Sequence, residues 1–262
     1  MNNAKILWGE GLFLRPQHFQ YQDAYIDTQF KRTLLAANPF AWGVRDLDLD
    51  VESLKNGVLR FNRIAVILPN GDFFSAPDVD QLPAPLPLEA AIGDGGTTTF
   101  HLALNHLNAH GGNSIQNVGE SGQARYLTVQ RAAADLHTDA AEADIATLSQ
   151  IAHLKSENDN RDAFLSMPLA RIRRTSSNSF ECDPSFIPPS ISLRSAPGLY
   201  AMLRRQIDAL LAKVEALYGF HREPSKNVIE FRSGDIASFW LLHTASSACA
   251  TLTHLFRNPD SS

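Results

Sequence analysis

Three histidines crowd one short stretch, "HLALNHLNAH", as His101, His106 and His110. Imidazoles at such spacing can start a metal site, but they need convergent geometry and usually carboxylate or thiolate support. In a strand His101 lies opposite the face shared by Phe100, Leu102 and Leu104, and the glycines after His110 favour a loop. Surface or hydrogen-bonded histidines are the expectation, with no metal. Asp46, Asp48 and Asp50 alternate with Leu47, Leu49 and Val51, which puts the three carboxylates on one strand face. Calcium needs ligands wrapped from a loop with a bidentate Glu; a straight strand cannot wrap, so a solvated face is expected.

Other chemistry is equally unsupported. Ser, His and Asp are plentiful, but no GxSxG elbow occurs. No GxxxxGK[ST] or GxGxxG follows a strand pattern, and the glycine pairs at 95–96 and 111–112 precede no helix to hold a phosphate. Cys182 and Cys249 stand in unrelated contexts, outside any CxxC or Cys/His ligand spacing. The residues predict a binding or structural protein, with no catalytic residue and no cofactor.

Composition narrows the partners. Lys and Arg number 23 against 28 Asp and Glu, a net charge of −5. The basic patches are short, Arg171, Arg173 and Arg174 in one place and Arg204 and Arg205 in another. That is too little for a nucleic-acid footprint. The 262 residues, 44% apolar and 19% charged, allow one large domain or two smaller ones. The N-terminus lacks the continuous apolar stretch of a secretory signal, and no apolar run approaches the roughly 20 residues of a membrane span. A cytoplasmic protein without membrane insertion is expected.

The elements that must position these residues fall into three blocks. From Pro16 to Asn38, Phe19, Ile26, Phe30, Leu34 and Ala37 recur at helical spacing, and "NPF" ends the run. Residues 41–194 carry strand patterns: "VRDLDLDVESL", then "VLRFNRIAVILP" and "DFFSAP" flanking the hairpin signal Asn70-Gly71. "PAPLPLEAA" is an extended connection or edge, and "TTTFHLALNHL", "ARYLTVQRAA", "ADLHTDA" and "LARIRRT" are further short strands between clusters such as "HGGNS" and "GESG". Pro168 is expected at a strand start or edge. Many short strands with such turns indicate a sandwich or barrel.

From Ser195, a candidate N-cap with Pro197 in the first turn, the text turns helical again. Leu203, Ile207, Leu210, Val214 and Leu217 alternate four and three apart, and from about Ile236 a second helix repeats this with Leu241, Ala245, Ala248, Leu252 and Leu255. Spacing leaves open whether the two seams meet in an intramolecular hairpin or between subunits. The expected divisions are 1–40, an N-terminal docking segment and helix; 41–194, a β-sandwich; and 195–262, an incomplete helical bundle.

One stretch has no evident internal purpose. "WGEGLFLRPQHFQYQDAY", residues 8–25, places bulky side chains on a glycine-loosened chain start, where ends usually fray. It either packs into its own domain or is offered to a partner.

That stretch also carries a resemblance. "EGLFLRPQHFQ" at 10–20, followed by "FAWGV", "ILPNGDFFSAP", "FIPPSISL" and "FWLLHTASSA", resembles in order the landmarks of the TssK family, trimeric baseplate components of bacterial type VI secretion systems. Tyr21 and Asn70-Gly71 differ from the family's more frequent Gln and Asp-Gly, and both keep the local helix or turn chemistry. The resemblance implies an α+β fold: a β-sandwich shoulder similar to siphophage receptor-binding proteins, then a trimerising helical neck. It implies that the chain carries the shoulder and the start of the neck, without the C-terminal head that engages TssL and TssM. The shoulder is then the side facing the wedge proteins TssF and TssG, at an inner-membrane-associated baseplate. Ile6, Leu7, Trp8, Phe13, Leu14 and Arg15 become the expected wedge contacts, with Gln17 and His18 as further hydrogen-bonding candidates and Gln20 as helix surface. The ten seam residues, Leu203 to Leu217 and Leu241 to Leu255, become the expected trimer contacts. The alternatives are that Trp8 and Phe13 merely cover the sandwich, and that the sandwich is a carbohydrate- or receptor-binding module; a hydrolase has only scattered polar residues behind it.

Overall fold

The computed structural model describes residues 4–92, 96–117, 123–221 and 233–257. Gly95 of the 95–96 pair, the "GESG" cluster at 119–122 and the tail beyond Arg257 lie outside the described residues. The chain divides into two compact units, Met1–Ile191 and Ser192–Ser262.

The first unit begins with helix α1, Pro16–Ala37. Pro16 suits its first position, where a missing N–H costs nothing, and Asn38, extended before Pro39, ends it. Strands follow: β1 Gly43–Leu49, β2 Val58–Leu59, β3 Phe61–Ile67, β4 Phe73–Ala76, β5 Leu86–Pro87, β6 Thr97–Asn105, β7 Ser114–Ile115, β8 Tyr126–Ala133, β9 Ala143–Gln150, β10 Ala152–Ser156, β11 Phe164–Arg174 and β12 Phe180–Cys182. They form sheets of order β1-β3-β4, β10-β6-β11-β12, β2-β5 and β7-β8-β9. The first two share one apolar core, in which Ile64, Val66 and Phe74 meet Phe100, Leu102, Leu104, Met167 and Ile172. The β3–β4 hairpin turns at Asn70-Gly71 as expected, with Gly71 at φ +84°.

Two strand expectations fail locally. The run expected to continue through Val51 breaks into a short helix α2, Val51–Lys55, because Asp50 caps it: its Oδ1 accepts from the Glu52 and Ser53 amides at 3.1 and 3.0 Å. The three aspartates therefore do not share one face, and Asp46 instead lies 3.7 Å from the Arg63 guanidinium. "ADLHTDA" is a turn, held by Asp135 Oδ1 accepting from the His137 and Thr138 amides at 2.8 and 2.9 Å. Strands β9 and β10, which follow it, carried no recognised signal. Pro168 lies mid-way along β11 but at a local edge, as expected: β6 pairs there through His101, whereas β12 pairs only with Ile172, Arg173 and Arg174, and a register shift follows between Pro168 and Ala170.

The strings "FAWGV" and "FIPPSISL" meet in space. Val44 N donates to Pro189 O at 2.7 Å and Ile191 N to Val44 O at 3.1 Å. Gly43 makes this closure possible. Its φ is +139°, and a Cβ there would lie 2.7 Å from Pro189 C and O and from Ser190 N.

The second unit is a helical hairpin, α3 Pro197–His221 and α4 Ser233–Arg257. The helix starts one residue later than Ser195 predicts, and the Ser195 hydroxyl donates to Ser192 O at 2.8 Å instead of capping.

Gly43→Ala should lower stability by at least about 1–3 kcal/mol from backbone strain alone, with the clash adding to it. Urea unfolding followed by circular dichroism measures this; an unchanged midpoint would show that the closure at Pro189 is not a stability determinant.

Candidate docking surface

The opening segment does not pack into the first unit's core. Leu7 is 87% exposed and Phe13 80%, and Trp8, Leu12 and Leu14 are also exposed; only Ile6 is half-buried. Trp8 rests its ring 6.2 Å from His18 and 6.4 Å from Phe19. Phe13 therefore does not cover the sandwich, and Trp8 covers only the helix start. His18 has a local task, since its Nδ1 accepts from the Arg15 amide at 3.1 Å across the first turn of α1. The Arg15 side chain is exposed beside it.

Helix α1 continues this pattern, with no buried residue along its length. Phe19, Ile26, Phe30 and Leu34, the helical stripe of the sequence, are all exposed. A helix so lightly buried needs another attachment, and Lys31 supplies it through an ion pair with Asp72 at 2.5 Å. Gly71 helps, because a Cβ there would press within 3.1 Å of the Lys31 stem.

Asp72 is one end of a buried polar node. Its Oδ2 accepts from Arg125 Nη2 and from Asn70 Nδ2, both at 2.8 Å. Arg125 is only 3% exposed. It also donates to Asn105 O and to Gln150 Oε1, each at 2.8 Å. Gln150 carries the network on, donating from Nε2 to Phe73 O at 2.6 Å and from its amide to Asp80 Oδ1 at 2.7 Å. Burial pushes the Asp72 carboxyl up, but hydrogen bonds from Lys31 and Asn70 and the charges of Lys31 and Arg125 outweigh it and hold the group below the usual carboxylate range. The node joins α1, the β3–β4 turn, the end of β6 and both strands of the β8–β9 ribbon. Nothing in the sequence pattern marks Arg125 for this role.

The histidines are dispersed. His101 is on β6, where burial and the nearby Arg161 push its imidazole pKa down, and His106 and His110 lie in the following loop. His153 on β10 is lowered in the same way by burial and Lys155. Among the described residues no three His, Cys, Asp or Glu side chains converge as a metal site would require.

In the helical hairpin the predicted seam is partly buried within one chain. Ile207 and Ala245 are buried, and Leu203, Leu210, Val214, Leu217, Ala248, Leu252 and Leu255 are half-buried in a unit of two helices; Leu241 alone is exposed. Tyr200 and Phe256 stack across the same hairpin at 4.4 Å. A different apolar set faces outward: Leu211 and Tyr218 on α3, and Ile236, Phe239 and Trp240 on α4. The periodicity missed this set because it tracks the face that is buried first.

Exposed apolar side chains of this kind suit contact with a partner. The family "Bacterial Type VI secretion, VC_A0110, EvfL, ImpJ, VasE" matches residues 18–262. The chain belongs to the TssK family. It is 31% identical over 263 residues to the type VI secretion system baseplate component TssK1 of Pseudomonas aeruginosa, covering 97% of this chain and 56% of that one. The chain thus spans about half the length of this curated relative. Its fold is similar to a chain of the TssK–TssF–TssG baseplate subcomplex seen by cryo-electron microscopy, with a TM-score of 0.86, 28% identity, and coverage of 99% of this chain and 81% of that one. It is likewise similar to a chain of the type VI secretion baseplate complex, with a TM-score of 0.88, 29% identity, and coverage of 98% and 57%. These TssK relatives share the α+β architecture described above. Among the described residues no helix is long and apolar enough to cross a membrane.

Arg125→Met should cost about 1–3 kcal/mol, because it removes one of the two cations at the half-buried Asp72 carboxylate and the donor to Asn105 O and Gln150 Oε1. Asp72→Asn combined with Arg125→Met should be less destabilised than the sum of the single variants. A double-mutant cycle by urea unfolding tests this; strict additivity would mean that the pair is not coupled.

Proposed function

We propose that this chain is a non-catalytic adaptor of the type VI secretion baseplate, holding the TssF–TssG wedge through its N-terminal segment. The reading places it on the cytoplasmic side, at a baseplate associated with the inner membrane. The observation that carries it is the exposure of Leu7, Trp8, Phe13 and Leu14 on the segment bearing "EGLFLRPQHFQ". A monomer has no reason to present that much contiguous apolar surface. Ile6 and Arg15 flank the patch, and the latter offers a guanidinium for hydrogen bonds at its rim. The relative in the TssK–TssF–TssG subcomplex supports the choice of partner. Contact with TssL and TssM is not assigned to these residues.

The same reading includes a homotrimer. Burying one large apolar side chain gives roughly 1.5–3 kcal/mol, and association costs on the order of 4–15 kcal/mol. One segment is therefore marginal as an anchor, whereas three copies held together gain from effective concentration. The seam residues Leu203, Ile207, Leu210, Val214, Leu217, Leu241, Ala245, Ala248, Leu252 and Leu255 remain assigned to self-association, with the exposed Leu211, Tyr218, Ile236, Phe239 and Trp240 added to them.

Trp8→Ala with Phe13→Ala should weaken binding to purified TssF–TssG by roughly 10–100-fold and leave the melting temperature unchanged. A melting temperature that falls with binding would return both residues to the core. Light scattering reads the second part. The chain should run as a trimer, and Phe239→Glu with Trp240→Glu should return it to monomer without loss of helix signal; a trimer that survives this change would place the interface elsewhere.

A further inference from the structure

Strand β9 ends the sheet β7-β8-β9, and among the described residues no strand pairs with its outer side. Edges of this kind are usually guarded by lysine, proline, a bulge or shortness. β9 has none of these: its eight residues, "ADIATLSQ", pair with β8 without a register shift from Ala143↔Ala133 to Gln150↔Tyr126.

The direction of its backbone groups follows from its two ends. Ile151 N donates inward to Arg125 O at 2.9 Å, whereas Gln150 N points outward and is taken by Asp80. In a regular antiparallel ladder the alternation continues along the strand. The N–H and C=O of Leu148, Ala146 and Asp144 therefore face away from β8. Their side chains share one face, the face of Leu148 toward α1. There Phe30, Leu34, Phe73, Val79 and Leu148 line an open groove of about 550 Å³. At the other end Asp144 stands on the strand itself, and Asp139 and Glu142 lie in the loop that precedes it.

We propose that the outer edge of β9 takes an extended segment of another protein as an added antiparallel strand, with a large apolar residue beside Leu148 and an Arg or Lys four residues later beside Asp144. Backbone pairing to residues 144, 146 and 148 supplies the affinity, and alternate side chains supply the choice of sequence. The apolar residue enters the groove. The cation meets the acidic end of the ribbon, about 13 Å away at 3.3 Å per residue. The polarity follows: antiparallel pairing puts the C-terminal end of the incoming strand at Asp144. This surface is independent of the N-terminal segment, and its failure would leave the wedge reading untouched.

The probe is the capped, fluorescein-labelled peptide TLTVTRT, with the reversed sequence TRTVTLT as control, titrated against the full 262-residue chain by anisotropy. The forward peptide should bind at least about tenfold tighter than the reverse, a difference of roughly 1.4 kcal/mol. It should also slow amide exchange within residues 143–150. Ala146→Pro removes only an outward N–H, so it should abolish binding with the far-ultraviolet spectrum retained. Asp144→Lys, at an exposed site, should weaken binding about tenfold and keep the fold even if the proline variant does not. Equal binding of the two peptides, binding indifferent to both variants, or no binding overturns the proposal. Concentration-dependent dimerisation of the chain that Ala146→Pro removes would also overturn it, by making a second copy the occupant.

Discussion

A guanidinium buried at the junction of four elements is the constraint on which the first unit's arrangement depends. The buried Arg125 guanidinium presents a rigid fork of donors that must be matched by acceptors in fixed places. Asp72, Asn105 O and Gln150 provide them, and each belongs to a different piece of chain. Satisfying one cation thereby positions the β3–β4 turn, the end of β6 and the β8–β9 ribbon against one another. The second Asp72 oxygen then holds Lys31, and with it a helix that buries no residue of its own. An apolar contact could supply comparable stability, but without this directionality.

The consequence is a separation of duties among apolar residues. The core between the sheets is complete without the N-terminal segment, since its largest fully buried side chains all come from residues 59–172. The exposed aromatic and aliphatic groups at 7–14 and along α1 are thus left over from folding. The strings that carry the TssK resemblance divide the same way. "FAWGV" and "FIPPSISL" close on each other at Gly43, and "ILPNGDFFSAP" contains Asp72, so both places have a folding explanation. "EGLFLRPQHFQ" has little beyond the Arg15–His18 turn to explain it, which is why its side chains are best understood through a partner.

The local pattern made a large part of this readable. Helix α1 begins at Pro16 and stops before Pro39, because proline limits backbone geometry wherever it is placed. The Asn70-Gly71 turn formed as expected for the same kind of local reason. The misreadings share a different cause. Alternation of Asp with Leu and Val matches a strand, yet Asp50 found a better use capping α2. β9 and β10 went unrecognised because many of their residues are small or polar, although Ala152 and Leu154 of β10 join the core. Pro168 kept the edge position expected of a proline only because β12 pairs no further than Ile172, a limit that the neighbouring strand sets.

By itself the sequence determined the secondary-structure vocabulary, the heptad spacing of the two long helices, the lack of a recognisable catalytic motif and the family. All of these are written in contiguous residues and obey periods of two, three or four. Only the tertiary structure decided that Arg125 meets Asp72, that the heptad seam is partly buried within the hairpin, and that β9 is left at an edge. Those outcomes depend on residues far apart in the chain competing for the same partners. Which partner a buried charge or an apolar face obtains is settled by what lies beside it after folding, and no local period carries that information.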